Sequence, residues 1–333
     1  MNIAYFVHGR GRGHAARTYS VLPILKKANF DIHLFAGAMA IDQFGNEKVN
    51  AIPSVMPGNG AFSIFIRRLK SDYKILKKLN PDVVISDGDA PSIYIARILG
   101  VPSIAVGHGM IVPYFKHPFP LPRKDYIQEY LNVMISSWVA NYKIAIHFTE
   151  LESKNKRVLS AFPDNDFKDL QTEYVNEDFL LSYFRDKNAE KPIRLLLDSG
   201  QSVHNFGHPV DGATNFNVDP TEFRKQLLKC KAVIGSSGSN LISEAIFLKK
   251  PMFALYKTGD FEQWINAQYL QKYNYGIANS LEKLTVGSVN RFIQFLDQNE
   301  AGFERNKTDT LPFSQVLLSL LKNEINQITS NPV

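Results

Sequence analysis

The chain has 333 residues, of which 44% are hydrophobic and 21% are charged, and its formal net charge is +6. This composition is typical of a globular protein, and the length suffices for two α/β domains with separate cores. No apolar run approaches the ~18 residues that span a bilayer, and no nucleic-acid-binding motif accompanies the positive charge. We therefore expect neither a transmembrane protein nor a nucleic-acid partner.

Cysteine usage and the first residues of the chain predict the compartment. Cys230 is the only cysteine, which excludes an internal disulfide, and the eight histidines are scattered, so no metal site is expected. The first residues lack the layout of a signal peptide and are needed as a strand. A cytoplasmic protein follows from these features.

The first predicted unit is a strand at 2–7, a glycine-rich loop at 9–14 and a helix at 15–27. This order is typical of a phosphate- or sugar-binding crevice. A dinucleotide enzyme is the rival, but Gly9, Gly11 and Gly13 do not follow the G-x-G-x-x-G spacing. The second strand, 31–35, also ends in Ala36 and Gly37 without an acidic residue to bind a ribose. NAD(P) chemistry is therefore not expected.

His14 closes the glycine loop and is a candidate general base. An imidazole titrates near neutrality, so it can accept a proton from a hydroxyl group that attacks an electrophilic carbon. The alternative is a loop histidine that contacts ligand or backbone without moving protons. Arg10, Arg12 and Arg17 are candidates for contact with a diphosphate or an anionic acceptor, and the alternative for them is solvent-exposed charge.

Polar residues follow two further predicted strands, 82–86 and 102–106. The first runs into Asp87, Gly88 and Asp89, which spell a D-x-D pattern that binds a metal ion in some enzymes. We do not interpret them as a metal site, and Asp89 is the better candidate to cap the helix at 91–99. The second strand leads to His108, a second candidate base at the edge of the sheet.

The rest of this half contains a segment of mixed character, a helix and a strand. Residues 115–124 combine aromatic and basic side chains ahead of a helix at 125–140, and a strand follows at 143–147. The mixture suits contact with a membrane surface or a lipid-linked acceptor. The alternative is a proline-rich loop that covers apolar surface.

The second half alternates strands and helices again. We interpret 150–190 as a connection with a helix at 177–186, and the final helix is expected at 312–328. Gly200 follows the first predicted strand and is a candidate for the phosphate site. The two alternations predict parallel sheets built from βαβ units. The expected strands lie at 193–197, 214–218, 231–235, 252–256 and 276–278.

The strand at 231–235 ends in a turn of small residues, Ser236, Ser237, Gly238 and Ser239, that opens a helix. Such a turn presents backbone N–H groups and a helix dipole to a phosphate. Glu244 lies on the same side of this helix and can accept hydrogen bonds from the two hydroxyls of a ribose. The alternative is an ordinary serine N-cap.

The loop and helix after the strand at 252–256 carry Glu262, Gln263 and Asn266, whose side chains can bind sugar hydroxyls. Ligands of open α/β sheets bind where strands end, and these residues lie at such a point. The alternative is a solvated acidic loop.

Two segments together resemble glycosyltransferases of the family-1 and family-28 group: GSSGSNLISEAIFLKKPMFALYKTGDFEQWINAQYLQKYNYGIA and GRGHAAR. The resemblance implies the GT-B fold, with two Rossmann-like α/β domains of parallel sheets that face across a cleft. It implies an acceptor domain at 1–150, a connection at 151–190 and a nucleotide-sugar domain at 191–310. The last segment, 311–333, either packs back on the first domain or stays on its own.

The resemblance also implies roles for particular residues. His14 is the base and Asp87 orients it, while the turn holds the diphosphate and Glu244 holds the ribose. Glu262, Gln263 and Asn266 face the donor sugar. Many relatives have His-Gly-Gly where this chain has Ser236, Ser237 and Gly238, so a histidine contact to phosphate is missing.

The implied reaction is a metal-independent, inverting transfer from a UDP-sugar to an acceptor hydroxyl, with no cofactor. The acceptor is a glycan, a lipid-linked molecule or a small molecule, and peripheral membrane contact is one expectation. A nucleotide-sugar hydrolase, a 2-epimerase and a non-catalytic sugar-nucleotide-binding protein share the fold and stay open as alternatives.

Overall fold

A computed structural model describes residues 1–10, 13–56, 58, 60–164, 177–184, 186–299 and 310–325. The chain forms two compact units. One consists of Met1–Asp164 with Asp309–Val333, and the other consists of Asn165–Thr308. Each unit contains one sheet of parallel strands flanked by helices. The predicted α/β class with two parallel sheets is confirmed.

The described residues of the first unit form seven strands and six α-helices. The strands are β1 (Asn2–Val7), β2 (Asp31–Ala36), β3 (Val49–Ala51), β4 (Val83–Asp87), β5 (Ser103–Gly107), β6 (Tyr142–Ile146) and β7 (Val158–Ala161). The helices are α1 (Gly13–Lys27), α2 (Ala61–Leu79), α3 (Ala90–Ile98), α4 (Ile111–Tyr114), α5 (Arg123–Ser137) and, from the end of the chain, α11 (Phe313–Leu320). Short 3₁₀ helices lie at Ala38–Gln43 and His108–Met110, and a π-helical turn, Leu321–Ile325, continues α11.

The strand order of the first sheet fixes where a ligand can bind. The order is β3-β2-β1-β4-β5-β6-β7, and each neighbouring pair is parallel. The chain moves outward in one direction from β1 and in the other direction from β4. The point where the order reverses leaves a crevice at the carboxyl ends of β1 and β4, which is where ligands of such sheets bind.

Helices cover both faces of this sheet. On one face α1 and α11 bury Val21, Leu25, Phe313 and Leu317 in a core with β1. On the other face α2 and α3 pack Leu76 and Ile95 against β1 and β4. The C-terminal helix therefore belongs to the first unit, because its apolar stripe completes that unit's core.

The described residues of the second unit repeat the arrangement with six strands and five α-helices. The strands are β8 (Leu180–Phe184), β9 (Val203–Gly207), β10 (Thr214–Phe216), β11 (Ala232–Ser236), β12 (Met252–Tyr256) and β13 (Gly276–Ser280). The helices are α6 (Glu190–Asp198), α7 (Pro220–Lys229), α8 (Ser239–Phe247), α9 (Phe261–Lys272) and α10 (Val286–Gln298), and a 3₁₀ helix lies at Lys187–Ala189. The strand order is β10-β9-β8-β11-β12-β13 with parallel neighbours, so the order reverses between β8 and β11. The α6 helix follows this 3₁₀ helix directly, and the two together form the crossover from β8 to β9.

Two predicted elements of the second unit are wrong. The segment 177–186, expected to be helical, contains the central strand β8, and the segment 193–197, expected to be a strand, lies inside α6. Ile193 and Leu196 are buried one helical turn apart, while Arg194 is exposed, so the apolar residues follow the helical period. The strand β9 was not predicted, because His204 and Asn205 interrupt its apolar run.

The predicted connection at 151–190 is also corrected. Residues up to Asp164 belong to the first unit, where β7 adds an edge strand to β6. The described residues between Glu177 and Asn299 belong to the second unit. No helix in the described part of the chain is both long and apolar enough to cross a membrane.

Candidate functional site

The first candidate site lies where the strand order of the first sheet reverses. His14 stands in the first turn of α1, after β1, and Asp87 is the last residue of β4. The Nδ1 atom of His14 lies 2.6 Å from Oδ1 of Asp87. Backbone pairing fixes the distance between the two strand ends, since the N–H of His8 donates to the carbonyl of Asp87. We call this pair the His14–Asp87 dyad.

Arg17, one turn further along α1, completes the arrangement. Its Nε donates to Asp87 Oδ2 at 2.6 Å and its Nη2 donates to Oδ1 at 2.7 Å. Burial alone would raise the pKa of Asp87, but Arg17 and then His14 outweigh it and lower the pKa to about 2. Asp87 is therefore ionised throughout the physiological range, and because an ionised carboxylate can only accept, its Oδ1 favours the tautomer with the proton on Nδ1 of His14. Nη2 of Arg17 also lies 2.9 Å from that nitrogen.

This geometry leaves the other ring nitrogen available for chemistry. The side chain of His14 is 27% exposed, whereas that of Asp87 is fully buried. With Nδ1 donating to Asp87, Nε2 carries the lone pair and can accept a proton. Since Arg17 already neutralises Asp87, this arrangement is suited to fixing the tautomer and the orientation of the ring.

Gly88 supports the imidazole ring from below. Its φ of +72° lies in the left-handed region that favours glycine, and a Cβ atom built there would lie 2.8 Å from Cε1 of His14. A side chain at this position would displace the ring. The next residue, Asp89, caps α3 by accepting from the N–H of Ser92, which confirms its predicted structural role.

The other candidate residues of the first unit differ in their position and in their exposure. Gly13 begins α1, and Arg10 is exposed at the end of β1. Gly11 and Arg12 lie outside the described residues. His108 is buried, and its Nδ1 lies 3.0 Å from the carbonyl oxygen of Ile146.

His108 is part of a buried pair of rings. It stacks on His147 with a centroid distance of 5.3 Å. Burial, followed by the neighbouring His108, holds the pKa of His147 well below its ordinary value. His108 is buried against another ring and does not share the partly exposed position of His14.

The predicted small-residue turn lies where the second strand order reverses, between β11 and α8. Ser237 is buried, and its N–H donates to the carbonyl of Leu255 at 3.0 Å. The N–H of Gly238 donates to Ser236 at 2.7 Å. The donors that remain for a ligand are therefore the first N–H groups of α8, from Ser239 onward, which no described side chain caps.

Glu244 projects from the same helix in a partly buried position. Burial raises its pKa from 4.5 to about 7, and Arg224 opposes part of that rise. A carboxylate kept in such surroundings destabilises the fold, so its presence is better explained by a ligand that donates hydrogen bonds to it.

The loop that follows β12 holds the remaining donor candidates. Asp260 caps α9 by accepting from the N–H of Gln263 at 3.0 Å. Gln263 Oε1 lies 3.3 Å from the backbone N of Lys257, and Glu262 is exposed beside it. Both side chains lie at the carboxyl edge of the sheet, as predicted from the sequence.

One further donor candidate braces the turn, and another lies at the opposite edge of the sheet. Asn266 is fully buried and its Nδ2 donates to the carbonyl of Ser237 at 3.0 Å, while its Oδ1 has no hydrogen-bond partner among the described residues. Gly200 follows α6 and precedes β9, at the amino ends of the strands. It was placed wrongly because the helix before it was interpreted as a strand.

Two polar contacts at this edge were not predicted. Lys257 pairs with Asp186 at 3.0 Å, and Thr258 Oγ1 donates to Glu282 at 2.8 Å. The first contact joins the exits of β8 and β12, which lie on either side of β11, and the second joins the exits of the neighbouring strands β12 and β13. No sequence signal joins residues so far apart in the chain.

Metal-binding geometry was sought among the same residues. In the described ranges no group of three or more His, Cys, Asp or Glu side chains is arranged to hold a metal ion.

A family model described as glycosyl transferase family 1 matches residues 45–297. The chain belongs to this family. It is a glycosyltransferase with the GT-B type of fold, which agrees with the resemblance of its motifs. No curated protein matches the chain.

Solved structures with similar folds are distant in sequence. MurG of Acinetobacter baumannii has a TM-score of 0.70 and 13% identity, over 96% of this chain and 99% of that chain. The UDP-GlcNAc 2-epimerase of Methanocaldococcus jannaschii, solved with UDP-GlcNAc and UDP, has a TM-score of 0.63 and 15% identity over 97% and 99%. The glycosyltransferase SnogD of Streptomyces nogalater has a TM-score of 0.59 and 13% identity over 97% and 99%. At these identities the likeness concerns the fold.

Proposed function

We propose that this glycosyltransferase moves a sugar from a UDP-sugar to an acceptor hydroxyl, with inversion at the anomeric carbon and without a metal ion. The observation that carries the proposal is the His14–Asp87 dyad at the point where the first strand order reverses. A partly exposed imidazole, oriented by a buried ionised carboxylate, is suited to general base catalysis.

In the proposed step, Nε2 of His14 accepts the proton of the acceptor hydroxyl. The hydroxyl oxygen forms a bond to the anomeric carbon while the bond from that carbon to the diphosphate oxygen breaks. The electron pair leaves with the diphosphate. Because the displacement is direct, the configuration at the anomeric carbon inverts.

The second unit is proposed to hold the donor. The uncapped N-terminus of α8 offers N–H groups and a helix dipole to the departing diphosphate. Glu244 is placed to accept hydrogen bonds from the ribose hydroxyls, and Glu262 and Gln263 from the sugar. UDP is the proposed nucleotide because the similar epimerase structure contains UDP and UDP-GlcNAc.

A nucleotide-binding screen tests this donor assignment. Thermal shifts are measured with UDP, GDP, dTDP, ADP and NAD(H) in the presence of EDTA. We expect stabilisation by UDP that is lost in Glu244→Ala and kept in Glu190→Ala, an exposed glutamate of the same unit. Stabilisation by NAD(H) alone would contradict the proposal, and a UDP shift that appears only with added divalent metal would contradict its metal-free part.

The similar epimerase favours one further comparison, since it shares the fold. A hydrolase would use the same base to activate water. An epimerase would invert one carbon of the sugar and release the product as a nucleotide sugar. Product analysis by mass spectrometry and NMR separates them. Transfer yields a glycosylated acceptor and UDP, hydrolysis yields free sugar and UDP, and epimerisation yields an isomeric sugar.

We further propose peripheral contact with an anionic membrane, although through a different surface from the segment 115–124. Phe115 is fully buried, and Lys116 pairs with Glu152, so that segment covers the core. A row of exposed apolar side chains lies instead on α5 and on its C-cap residue. They are Ile127, Leu131, Ile135 and Trp138, with exposures of 48%, 54%, 54% and 58%.

These four residues recur at helical spacing and form one stripe, which we call the α5 stripe. The helix α3 contacts both α5 and α2, and Trp138 Nε1 donates to Tyr94 of α3. The outer face of α2 is basic, with exposed Arg67, Lys70 and Lys74. An exposed apolar stripe beside basic residues is suited to an anionic lipid surface.

Vesicle co-sedimentation tests this contact. Binding is expected with vesicles that contain anionic lipid, and about 1 kcal/mol should be lost for each basic residue removed from near the surface. Leu131→Ser should weaken binding, whereas Leu311→Ser, an exposed leucine outside the stripe, should not. Equal binding by both variants would contradict the assignment of the surface.

A further inference from the structure

Arg68 is a buried arginine that the sequence motifs do not mark. It lies inside α2 with 1% of its surface exposed. Its Nε and Nη2 donate to Asp72 at 3.1 and 2.9 Å, and its Nη1 and Nη2 donate to Asp89 at 3.0 and 2.9 Å. Its Nη1 also donates to the carbonyl of Pro53 at 2.5 Å. All five N–H groups of the guanidinium are therefore used.

One end of this network reaches the loop that supports the base. Asp89 follows Asp87 and Gly88, and its backbone is held by Ser86, whose hydroxyl donates to the Asp89 carbonyl at 2.6 Å and accepts from its N–H at 3.1 Å. Asp87 orients His14, and Gly88 lies against its ring. The bidentate bond from Arg68 therefore fixes the segment on which the imidazole rests.

The other end of the network binds the segment after β3, and this segment holds the start of the loop that leads into α1. Ser54 and Val55 follow Pro53, and Ser54 Oγ accepts from the N–H of Gly9 at 2.8 Å. The carbonyl of Val55 lies 3.2 Å from Nε2 of His8. Residues 8 and 9 begin the glycine loop whose end carries His14. A single guanidinium therefore connects both segments that flank the base.

We propose that Arg68 is a positioning residue for His14, because its guanidinium binds both the segment that follows β3 and the segment that follows β4. The inference rests on the proposed role of His14 as the base. Arg68 touches no reacting atom, and its effect is exerted through the segments 53–55 and 87–89. A lysine cannot reproduce it, since an ammonium group lacks the planar fork that binds Asp89 and Pro53 together.

The cluster itself supplies a matched control. Asp72 lies on the same helix as Arg68, so its bonds do not connect the two loops. Burial raises the pKa of Asp72, and its amide variant would leave the buried Arg68 paired with Asp89 alone. Asp72→Asn therefore perturbs the same buried cluster while leaving the connection intact. Asp89→Asn keeps a side chain able to cap α3 but removes the charged partner of Arg68.

The test compares Arg68→Met, Arg68→Lys and Asp89→Asn with Asp72→Asn. With the nucleotide sugar identified by the donor screen, we expect the first three to lower kcat by roughly 100-fold, as for a small misplacement of a catalytic group. KM for the donor should change less than about twofold, since the donor is proposed to bind the other unit. Asp72→Asn should keep kcat within about threefold, because the connection to both loops survives.

Histidine NMR supplies a readout that needs no substrate. In ¹⁵N-histidine-labelled protein, the neutral imidazole of wild-type His14 should carry its proton on Nδ1 and not on Nε2, with the resonances assigned by comparison with His14→Gln. Arg68→Met, Arg68→Lys and Asp89→Asn should show mixed tautomers of His14. Asp72→Asn should match the wild type. Arg68→Lys and Asp89→Asn carry the test if Arg68→Met does not fold.

The outcomes distinguish this inference from the proposed function. Folded Arg68 and Asp89 variants with wild-type His14 resonances would overturn the positioning role. A loss of kcat equal in Asp72→Asn and Arg68→Lys would also overturn it, because the effect would then reflect general instability of the cluster. No turnover of any nucleotide sugar by the wild type would refute the proposed function, and the NMR result would still decide whether Arg68 positions His14.

Discussion

Replacing Glu244 by glutamine should stabilise the second unit at neutral and alkaline pH while weakening nucleotide binding. Burial raises the pKa of Glu244 from 4.5 to about 7. A carboxyl group with a raised pKa in the folded state binds more protons there than in the unfolded state. Its destabilising effect is therefore absent below pH 4.5, grows between pH 4.5 and 7, and is complete above pH 7.

The magnitude follows from the size of the shift. Each pKa unit corresponds to about 1.4 kcal/mol, so the ionised carboxylate costs about 3 kcal/mol of unfolding free energy above pH 7. Glutamine has nearly the same shape and no charge, so it removes this cost. For a domain of this size a stabilisation of ~3 kcal/mol raises Tm by roughly 6–12 °C.

Tryptophan fluorescence can isolate the relevant unit. The chain has two tryptophans, Trp138 in the first unit and Trp264 in the second. In a Trp138→Phe background, unfolding followed by Trp264 reports on the second unit. The stabilisation by Glu244→Gln should be present at pH 8 and nearly absent at pH 4.5, whereas Glu190→Gln should change neither.

Nucleotide binding should change in the opposite direction. A hydrogen bond to a charged group contributes about 1.5–3 kcal/mol, so the loss of the carboxylate should weaken UDP binding by roughly tenfold or more. If Glu244→Gln and the wild type unfold identically at pH 8, the account of the buried carboxylate is wrong. If stability rises and UDP affinity is unchanged, the carboxylate is buried but does not bind the ribose.

Three further predictions concern residues that hold the two sites. Asp87→Asn should cost about 2 kcal/mol of unfolding free energy at pH 7 in the first unit, because the pKa of Asp87 is lowered from 3.8 to about 2. This difference is complete above pH 3.8 and disappears as the pH falls through 2, and denaturation from pH 2 to 7 checks it; a difference independent of pH would contradict it. Gly88→Ala should cost about 1–3 kcal/mol of unfolding free energy through its positive φ, and it should lower turnover by displacing His14. Gly100→Ala is the control, because Gly100 also has a positive φ but has open space around it. This control should lose stability without losing turnover. Asn266→Ala should destabilise the second unit by about 1–3 kcal/mol, because the carbonyl of Ser237 loses its donor; thermal unfolding followed by Trp264 measures this, and an unchanged Tm would show that Asn266 does not brace the turn.

The sequence predicted the strands whose apolar runs are uninterrupted. The strands at 2–7, 31–35 and 252–256 appear with bounds that differ by at most one residue. Buried parallel strands are recognisable because both faces are apolar and glycine or polar residues follow them. By contrast, Ser182 and Asn205 are buried polar residues within β8 and β9, and they conceal those strands.

The misread helix α6 has a local explanation that the sequence also carried. Pro192 lies in its first turn, where proline favours a helix, and Glu190 precedes it in the dipole-favoured position. The apolar run 195–197 outweighed these signals in the sequence interpretation. As a result Gly200 was assigned to the wrong end of the second sheet.

The candidate sites were predicted in part for a related reason. Residues at the carboxyl end of a strand, such as Asp87 and Ser236, can be placed at a sheet edge from the sequence alone. The order of strands cannot, and it is this order that brings His14 and Asp87 to the same crevice. Buried connections such as Arg68 with Asp89 arise from helix packing, which no local pattern in the chain records.

The measurement that tests the central claim most directly is turnover of a UDP-sugar by His14→Ala, alongside UDP affinity. General base catalysis contributes about 10²–10⁴-fold, so turnover should fall by that factor. UDP affinity should not change, and His33→Ala, a partly exposed histidine of β2, should behave as the wild type. Turnover by His14→Ala within about threefold of the wild type would contradict the assignment of His14 as the base.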